Sequence, residues 1–135
     1  AGSMNILSIA GLNAALKWIN KTGIEQIRNR EVNNLRILVN VLREFDNINI
    51  IGLGDLNKHI GIVSCNFNGY SCDNIGQVLS RNNIAVRVGL HCAPNAHKFL
   101  GTFPAGTVRF SLGYFNSKSD FDQLYFALEI IYANS

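Results

Sequence analysis

Short apolar segments rich in Ile, Val and Phe constrain the fold of this chain most strongly. Four of them, 48–51, 60–67, 84–88 and 107–112, suit strands and are too short for typical helices. Gly or Asn follows each of these segments, as is usual where a strand ends in a turn. We therefore predict four strands.

The segments between the predicted strands carry apolar residues at the spacing of a helix. The clearest stripe lies within 24–45, with arginines outside it, and a shorter one lies within 6–21. Ser71 is a good N-cap for a third helix, and Pro94 can open a short fourth one. The predicted helices span 6–21, 24–45, 71–81, 94–100 and a last segment that starts at Ser117 or Ser119.

The order of these elements predicts an α+β sandwich, in which four strands lie with the helices grouped around them. A break at Thr22-Gly23 separates the first helix, which we expect to belong to a neighbouring domain. Residues 1–3 (Ala-Gly-Ser) precede Met4 and are interpreted as a cloning remnant. Residues 23–135 are expected to form one domain.

Composition narrows the class of protein. The chain has 135 residues, 47% hydrophobic and 16% charged, which excludes disordered, collagen-like and coiled-coil chains. The net charge of +3 is too small to predict nucleic-acid binding, and no apolar run reaches the roughly 18 residues of a membrane helix. Three cysteines without a C-x-x-C pair predict neither a disulfide framework nor structural zinc. With no signal-peptide pattern, we expect a cytoplasmic protein.

The segment from Arg87 to Pro94, Arg-Val-Gly-Leu-His-Cys-Ala-Pro, holds the best candidate for chemistry. Cys92 follows a predicted strand and precedes the helix that Pro94 opens, so free backbone N–H groups favour negative charge there. His91 is adjacent, and Arg87 lies on the incoming strand. These surroundings favour a nucleophilic thiolate, whereas the alternative is a small apolar residue under a loop.

The remaining cysteines suit structural roles better. Cys65 alternates with apolar residues along a predicted strand, and Cys72 begins a helix with no basic neighbour. His59 precedes a strand and is expected to be a solvated loop residue. A metal site is a further alternative, with His91, Cys92 and His97 as its ligands. Its spacing is not a usual zinc pattern and no fourth ligand is evident, so we expect no metal.

Arg109 lies inside an apolar predicted strand, between Val108 and Phe110. An arginine in such a position is rarely buried without an anion, which favours a guanidinium fork for a carboxylate or phosphate. Strand alternation alone slightly favours the other interpretation, a side chain on the exposed face of the sheet.

Two motifs resemble the cysteine desulfurase branch of the class V aminotransferases. One is Arg87-x-Gly-x-His-Cys-Ala-Pro94, and the other is Gly106-Thr-Val-Arg-Phe-Ser-Leu-Gly-Tyr-Phe-Asn116. The early segment Ile9-Ala-Gly-Leu-x-Ala-Ala-Leu-x-x-Ile19 resembles the family's helix after the cofactor lysine. The resemblance covers nearly the whole chain. It implies the small C-terminal domain of a fold-type-I pyridoxal phosphate (PLP) enzyme, with a small, mainly antiparallel sheet, and residues 4–22 matching the end of the large domain.

The resemblance implies a parent enzyme that uses PLP to convert L-cysteine into L-alanine. Cys92 then matches the nucleophile that keeps the sulfur as a persulfide. Arg109 matches the arginine that pairs with the substrate carboxylate, which reverses the preference drawn from strand alternation. Arg87 matches an arginine at the edge of the substrate site, and His91 a supporting residue. A homodimeric parent, a sulfur-acceptor protein and a role in iron–sulfur cluster assembly are also implied.

The sequence also departs from the family pattern. The segments that hold PLP in the family are not recognised here, so we expect no cofactor in this chain and no activity from the fragment alone. Lys98 follows the cysteine and is not assigned as the Schiff-base lysine, and Leu90 stands where a related branch has a first histidine. Ser111 and Asn116 match the motif and are interpreted as structural. The alternatives are a related class V aminotransferase, a selenocysteine lyase or a standalone binding module with a redox-active thiol.

Overall fold

The computed structural model describes residues 2–133, so Ala1 of the predicted cloning remnant lies outside the described residues. The helices and strands follow the predicted order. They are α1 (Ile6–Thr22), α2 (Ile24–Arg43), β1 (Ile48–Ile51), β2 (Ile62–Phe67), α3 (Cys72–Arg81), β3 (Arg87–Gly89), α4 (Pro94–Phe99), β4 (Thr107–Ser111) and α5 (Lys118–Ala133). A short 3-10 helix at Leu56–Lys58, absent from the prediction, starts where Asp55 accepts a hydrogen bond from the Asn57 amide.

The four strands form one sheet in the order β1-β2-β4-β3, and every neighbouring pair is antiparallel. This confirms the predicted α+β class and the four-stranded antiparallel sheet. No helix within residues 2–133 is long and apolar enough to cross a membrane.

One face of the sheet carries the core. Val63, Cys65 and Phe67 alternate along β2, and Val108 and Phe110 along β4, so all five point to the same side. Helices α2, α3 and α5 cover this side with their buried apolar stripes. Burial at the centre is complete for Leu35, Leu38, Val39, Leu42, Cys65, Leu79, Val108 and Ala127.

The opposite face of the sheet carries polar side chains, and we call it the polar face. It consists of Ser64, Arg87, Thr107, Arg109 and Ser111, which alternate with the core residues along β2, β3 and β4. The candidate site lies here, so the same alternation that builds the core also places the site.

β3 starts three residues later than predicted and ends one residue later. We predicted a strand over 84–88, but only Arg87–Gly89 pairs with β4. The Ile84 amide still donates to the Leu79 carbonyl at 2.9 Å, and Asn83 before it has φ +58°. These residues therefore finish the end of α3 and diverge from β4, leaving a cleft between Ile84 and Phe110.

α1 buries none of its side chains. Beyond its contact with α2, it touches the rest of the chain through Trp18, whose ring lies 5.0 Å from Tyr114 and 5.3 Å from Phe115, centroid to centroid. The division of the chain at residue 22 into parts of two domains stays a prediction.

The loop after β4 is held by a buried polar residue of α2. Asn34 is 2% exposed, and its Nδ2 donates to the carbonyls of Gly113 at 3.0 Å and Asn116 at 3.3 Å. The Asn116 side chain in turn accepts from the Gly113 amide at 2.8 Å. These hydrogen bonds hold Asn116 within the loop, in keeping with the structural role that we predicted for it.

Replacing Asn34 by alanine should lower the free energy of unfolding by about 1–3 kcal/mol, because the Gly113 carbonyl loses its side-chain donor and the Asn116 carbonyl keeps only that of Arg30. Asn40 is exposed on the same helix, so Asn40→Ala should change stability by less than about 0.5 kcal/mol. Urea denaturation followed by circular dichroism measures both. Equal losses for the two variants would contradict the anchoring role of Asn34.

Candidate functional site

Cys92 lies in a tight turn between β3 and α4. The turn closes with a hydrogen bond from the Ala93 amide to the Leu90 carbonyl at 2.8 Å. His91 has φ +50° and Cys92 φ +60°, so two adjacent side-chain-bearing residues adopt the left-handed conformation. This conformation costs about 1–2 kcal/mol per residue and therefore needs surrounding contacts to hold it. It presents Cys92 as an exposed thiol, directly before the helix that Pro94 opens.

Arg87 brings a guanidinium to this thiol. Its Nη2 donates to the Cys92 Sγ at 3.5 Å. In the sheet register Arg87 also lies opposite Arg109, and Arg109 lies opposite Ser64 of β2. The sheet therefore gathers Cys92, Arg87 and Arg109 at one edge of the polar face.

Neither arginine has an acidic partner among residues 2–133. Within residues 2–133 the only ion pair joins the exposed side chains of Lys118 and Asp122 on α5. Like charges directly opposite each other on a sheet are destabilising, and the Arg109 Nε is buried without a hydrogen-bond partner. Such an arrangement suits an anion that satisfies both guanidinium groups, and a bidentate carboxylate has the matching geometry.

His91 is held beside these cations. Its Nε2 lies 3.0 Å from the Thr107 Oγ1, and its ring centroid lies 5.6 Å from that of His97. Desolvation is the main cause that lowers the pKa of His91 below 6.5, and the nearby Arg109, His97 and Arg87 lower it further. A hydrogen bond with the Thr107 backbone opposes this shift without reversing it. The lowered pKa favours the neutral imidazole of His91 at pH 7.

His97 has a structural role at the end of α4. It is buried, its Nδ1 lies 2.7 Å from the Thr102 Oγ1, and its carbonyl accepts from the amides of Thr102 and Phe103. These contacts close the helix that follows the cysteine turn. Within residues 2–133 no group of three or more His, Cys, Asp or Glu side chains is placed to hold a metal ion.

The other thiols lie in different surroundings. Cys65 is fully buried, and burial, with a smaller contribution from Cys72, raises its pKa to about 12. Cys72 is half-buried at the start of α3, where burial and then the Asp73 charge raise its pKa. His59 differs from its prediction as a solvated residue: it is half-buried, and its Nε2 accepts from the Gly54 amide at 3.1 Å.

Gly106 and Thr107 are site residues that the sequence did not single out for this role. Gly106 has φ +79°, and a Cβ placed on it would lie 2.3 Å from the Gly89 carbonyl carbon. Only glycine permits this close approach of the chain before β4 to the end of β3. The sequence signal was the Gly-Thr pair before an apolar strand, but the approach depends on strand pairing, which the sequence does not display.

The lysines, as candidates for binding PLP, lie at the surface of the chain. Every lysine is exposed, and the nearest in sequence to the cysteine turn, Lys98, places its Nζ 5.3 Å from the centre of the Phe103 ring. Lys98 therefore faces an aromatic ring at the surface.

Comparisons with known proteins agree on one family. A family model described as "Aminotransferase class-V" matches residues 1–124. A protein of Xylella fastidiosa (strain 9a5c) named "Probable cysteine desulfurase" is 31% identical over 128 residues, which cover 95% of this chain and 30% of that protein. The "Cysteine desulfurase" of Synechococcus elongatus is 33% identical over 135 residues, covering 100% of this chain and 21% of that protein.

A comparison with solved structures leads to the same family. The solved "Apo structure of Cysteine Desulfurase from Thermococcus onnurineus NA1" matches with a TM-score of 0.88 and 30% identity, covering 100% of this chain and 33% of that one. The chain thus spans a third or less of the length of these proteins. These matches confirm the resemblance that the two motifs indicated.

The three thiols should differ in reactivity. Limiting alkylation with iodoacetamide at pH 7, followed by peptide mapping, should label Cys92 first, Cys72 second and Cys65 last. Cys92 is exposed and contacts a guanidinium, whereas burial raises the pKa of the other two. Labelling of Cys65 or Cys72 ahead of Cys92 would show that the turn does not present a reactive thiol.

Proposed function

Because this chain belongs to the class V aminotransferase family, we propose that it is the part of a PLP-dependent cysteine desulfurase that carries the reactive thiol. The longer protein that contains these residues is called the parent enzyme below. Its substrate is L-cysteine, and its products are L-alanine and a persulfide on Cys92.

One observation carries this proposal. Arg87 donates to the Cys92 Sγ and lies opposite Arg109 in the register of β3 and β4. A nucleophilic sulfur and two guanidinium groups without an acidic partner thus share one edge of the polar face. An amino acid whose carboxylate binds the guanidinium groups can bring its own sulfur toward Cys92.

The proposed sulfur transfer needs no outside oxidant, because the substrate carbon takes the electron pair that its sulfur gives up. The Cys92 thiolate attacks the sulfur of the substrate and forms an S–S bond. The C–S bond of the substrate breaks, its electron pair stays with the carbon, and that carbon takes up a proton to become the methyl group of alanine. The sulfur leaves as the outer atom of the Cys92 persulfide.

The arginines have separate roles in this proposal. Arg109 binds the substrate carboxylate, because its Nε is buried and lacks a hydrogen-bond partner. Arg87 lies at the entrance, where it contacts the Cys92 sulfur and contributes positive charge to the carboxylate site. His91 supports the cysteine turn and, as a neutral imidazole, adds no third charge.

PLP belongs to the parent enzyme in this proposal, and the family relationship supports its presence there. When bound there, PLP supplies the chemistry at the α-carbon.

The exposure of Cys92 supports a second step of the proposed function, in which the sulfur leaves the enzyme. A persulfide at an exposed turn can be passed to a sulfur-acceptor protein, and we propose that the parent enzyme serves cytoplasmic sulfur metabolism and iron–sulfur cluster assembly. The family relationship supports a homodimeric parent.

The carboxylate role of Arg109 can be tested in the PLP-loaded parent enzyme. Arg109→Lys should raise KM for L-cysteine about tenfold to a hundredfold, because a lysine cannot form the bidentate pair and a charged hydrogen bond contributes about 1.5–3 kcal/mol. Arg81→Lys is the matched control, since Arg81 is exposed on α3. A normal KM for Arg109→Lys would mean that Arg109 is only a solvated strand residue.

Replacing the thiol separates substrate binding from sulfur release. The Cys92→Ser parent enzyme should still bind L-cysteine, seen as a change in the visible absorbance of PLP, but should form little alanine or sulfide. Cys72→Ser should behave as the unchanged enzyme, because Cys72 packs against the core. Full alanine formation by Cys92→Ser would exclude Cys92 as the nucleophile.

A further inference from the structure

We infer that Thr107 is a positioning residue, which holds the cysteine turn through a hydrogen bond with His91 and thereby sets the reactivity of Cys92. The inference rests on the proposed function of Cys92 as the nucleophile. It concerns a residue with no proposed contact to the substrate.

The first support is the place of Thr107 in the sheet. Thr107 is 2% exposed and lies two residues before Arg109 on β4, so both side chains point to the polar face. In the register Thr107 faces Gly89, which has no side chain, and this leaves room beside Thr107 for a group from the following turn.

The ring of His91 occupies that place. The distance between the His91 Nε2 and the Thr107 Oγ1 is 3.0 Å, whereas the His91 Nδ1 is buried without a partner. Among residues 2–133 the Thr107 hydroxyl is therefore the side chain that hydrogen-bonds this ring, whose face also packs against the His97 ring. Because His91 and Cys92 are both left-handed, a hydrogen bond that fixes His91 also fixes the residue after it.

β4 thus carries both residues that position the reacting groups, one for the thiol and one for the substrate carboxylate. Thr107 holds the turn that presents the thiol, and Arg109 binds the carboxylate two residues later. A rigid strand between them keeps the separation of thiol and carboxylate constant. The contact of the Cys92 Sγ with Arg87 on β3 depends on the same arrangement.

The test uses this chain and the rate at which iodoacetamide labels Cys92 relative to Cys72 in the same sample. Thr107→Val keeps the β-branched shape and removes the hydroxyl. It should lower the Cys92:Cys72 ratio about threefold to tenfold, the effect expected from one lost hydrogen bond. Thr107→Ser keeps the hydroxyl and should restore the ratio to within about twofold.

Two further variants separate positioning from general destabilisation. Thr102→Val removes an equally buried hydroxyl that contacts His97 instead of His91, and should leave the ratio unchanged. His91→Phe should lower the ratio as Thr107→Val does, and the double variant should fall no further, because the two residues act through one contact. If Thr107→Val does not fold, His91→Phe with Thr102→Val as control decides the question.

The outcomes are distinct for the two proposals. If Cys92 is no more reactive than Cys72 in the unchanged chain, the proposed role of the thiol fails. If Cys92 is the more reactive thiol, three results would show that the positioning role is wrong. The ratio could stay unchanged in Thr107→Val, or stay low in Thr107→Ser. The effects of Thr107→Val and His91→Phe could also add in the double variant. An equal loss in Thr102→Val would also overturn it.

Discussion

Three residue pairs between β3 and β4 hold the candidate site together. Their antiparallel register places Arg87 opposite Arg109, Val88 opposite Val108 and Gly89 opposite Thr107. The middle pair anchors the strands on the core side, where Val108 is fully buried, and the outer pairs face the other way. A shift of the edge strand β3 by one residue would turn Arg87 toward the core and Val88 toward solvent, so core packing fixes the place of Arg87 opposite Arg109.

The candidate site combines two features, each of which would lower the stability of the folded chain by itself. Two guanidinium groups lie opposite each other without an acid, and two consecutive residues of the cysteine turn are left-handed. Apolar burial beneath the sheet and the close approach of Gly106 to Gly89 keep them in place. Such features persist where the surrounding structure determines them and are common at functional sites. An anion bound between the arginines would relieve part of the repulsion.

Much of the fold could be predicted from the sequence because helices and strands have different apolar periods. That difference was enough to predict the five helices, the four strands and the buried position of Cys65. The start of β3 could not be predicted, since Ile84 is as apolar as a strand residue but its amide bonds to the end of α3, and Val86 lies before the first pair with β4. The motif around Cys92 identified the reactive residue, whereas its pairing with Arg109 and the roles of Gly106 and Thr107 depend on strand register. Register arises from packing across the whole sheet, and local sequence does not encode it directly.

The central claim is that Cys92 receives the sulfur of L-cysteine. The most direct measurement is mass spectrometry of the PLP-loaded parent enzyme after incubation with L-cysteine that carries an isotopic label on sulfur. The account predicts one additional labelled sulfur on the peptide that contains Cys92, removed by a reducing agent, with the peptides of Cys65 and Cys72 unchanged. Alanine formation with the label on another cysteine, or with no label on Cys92 at any time during turnover, would contradict it.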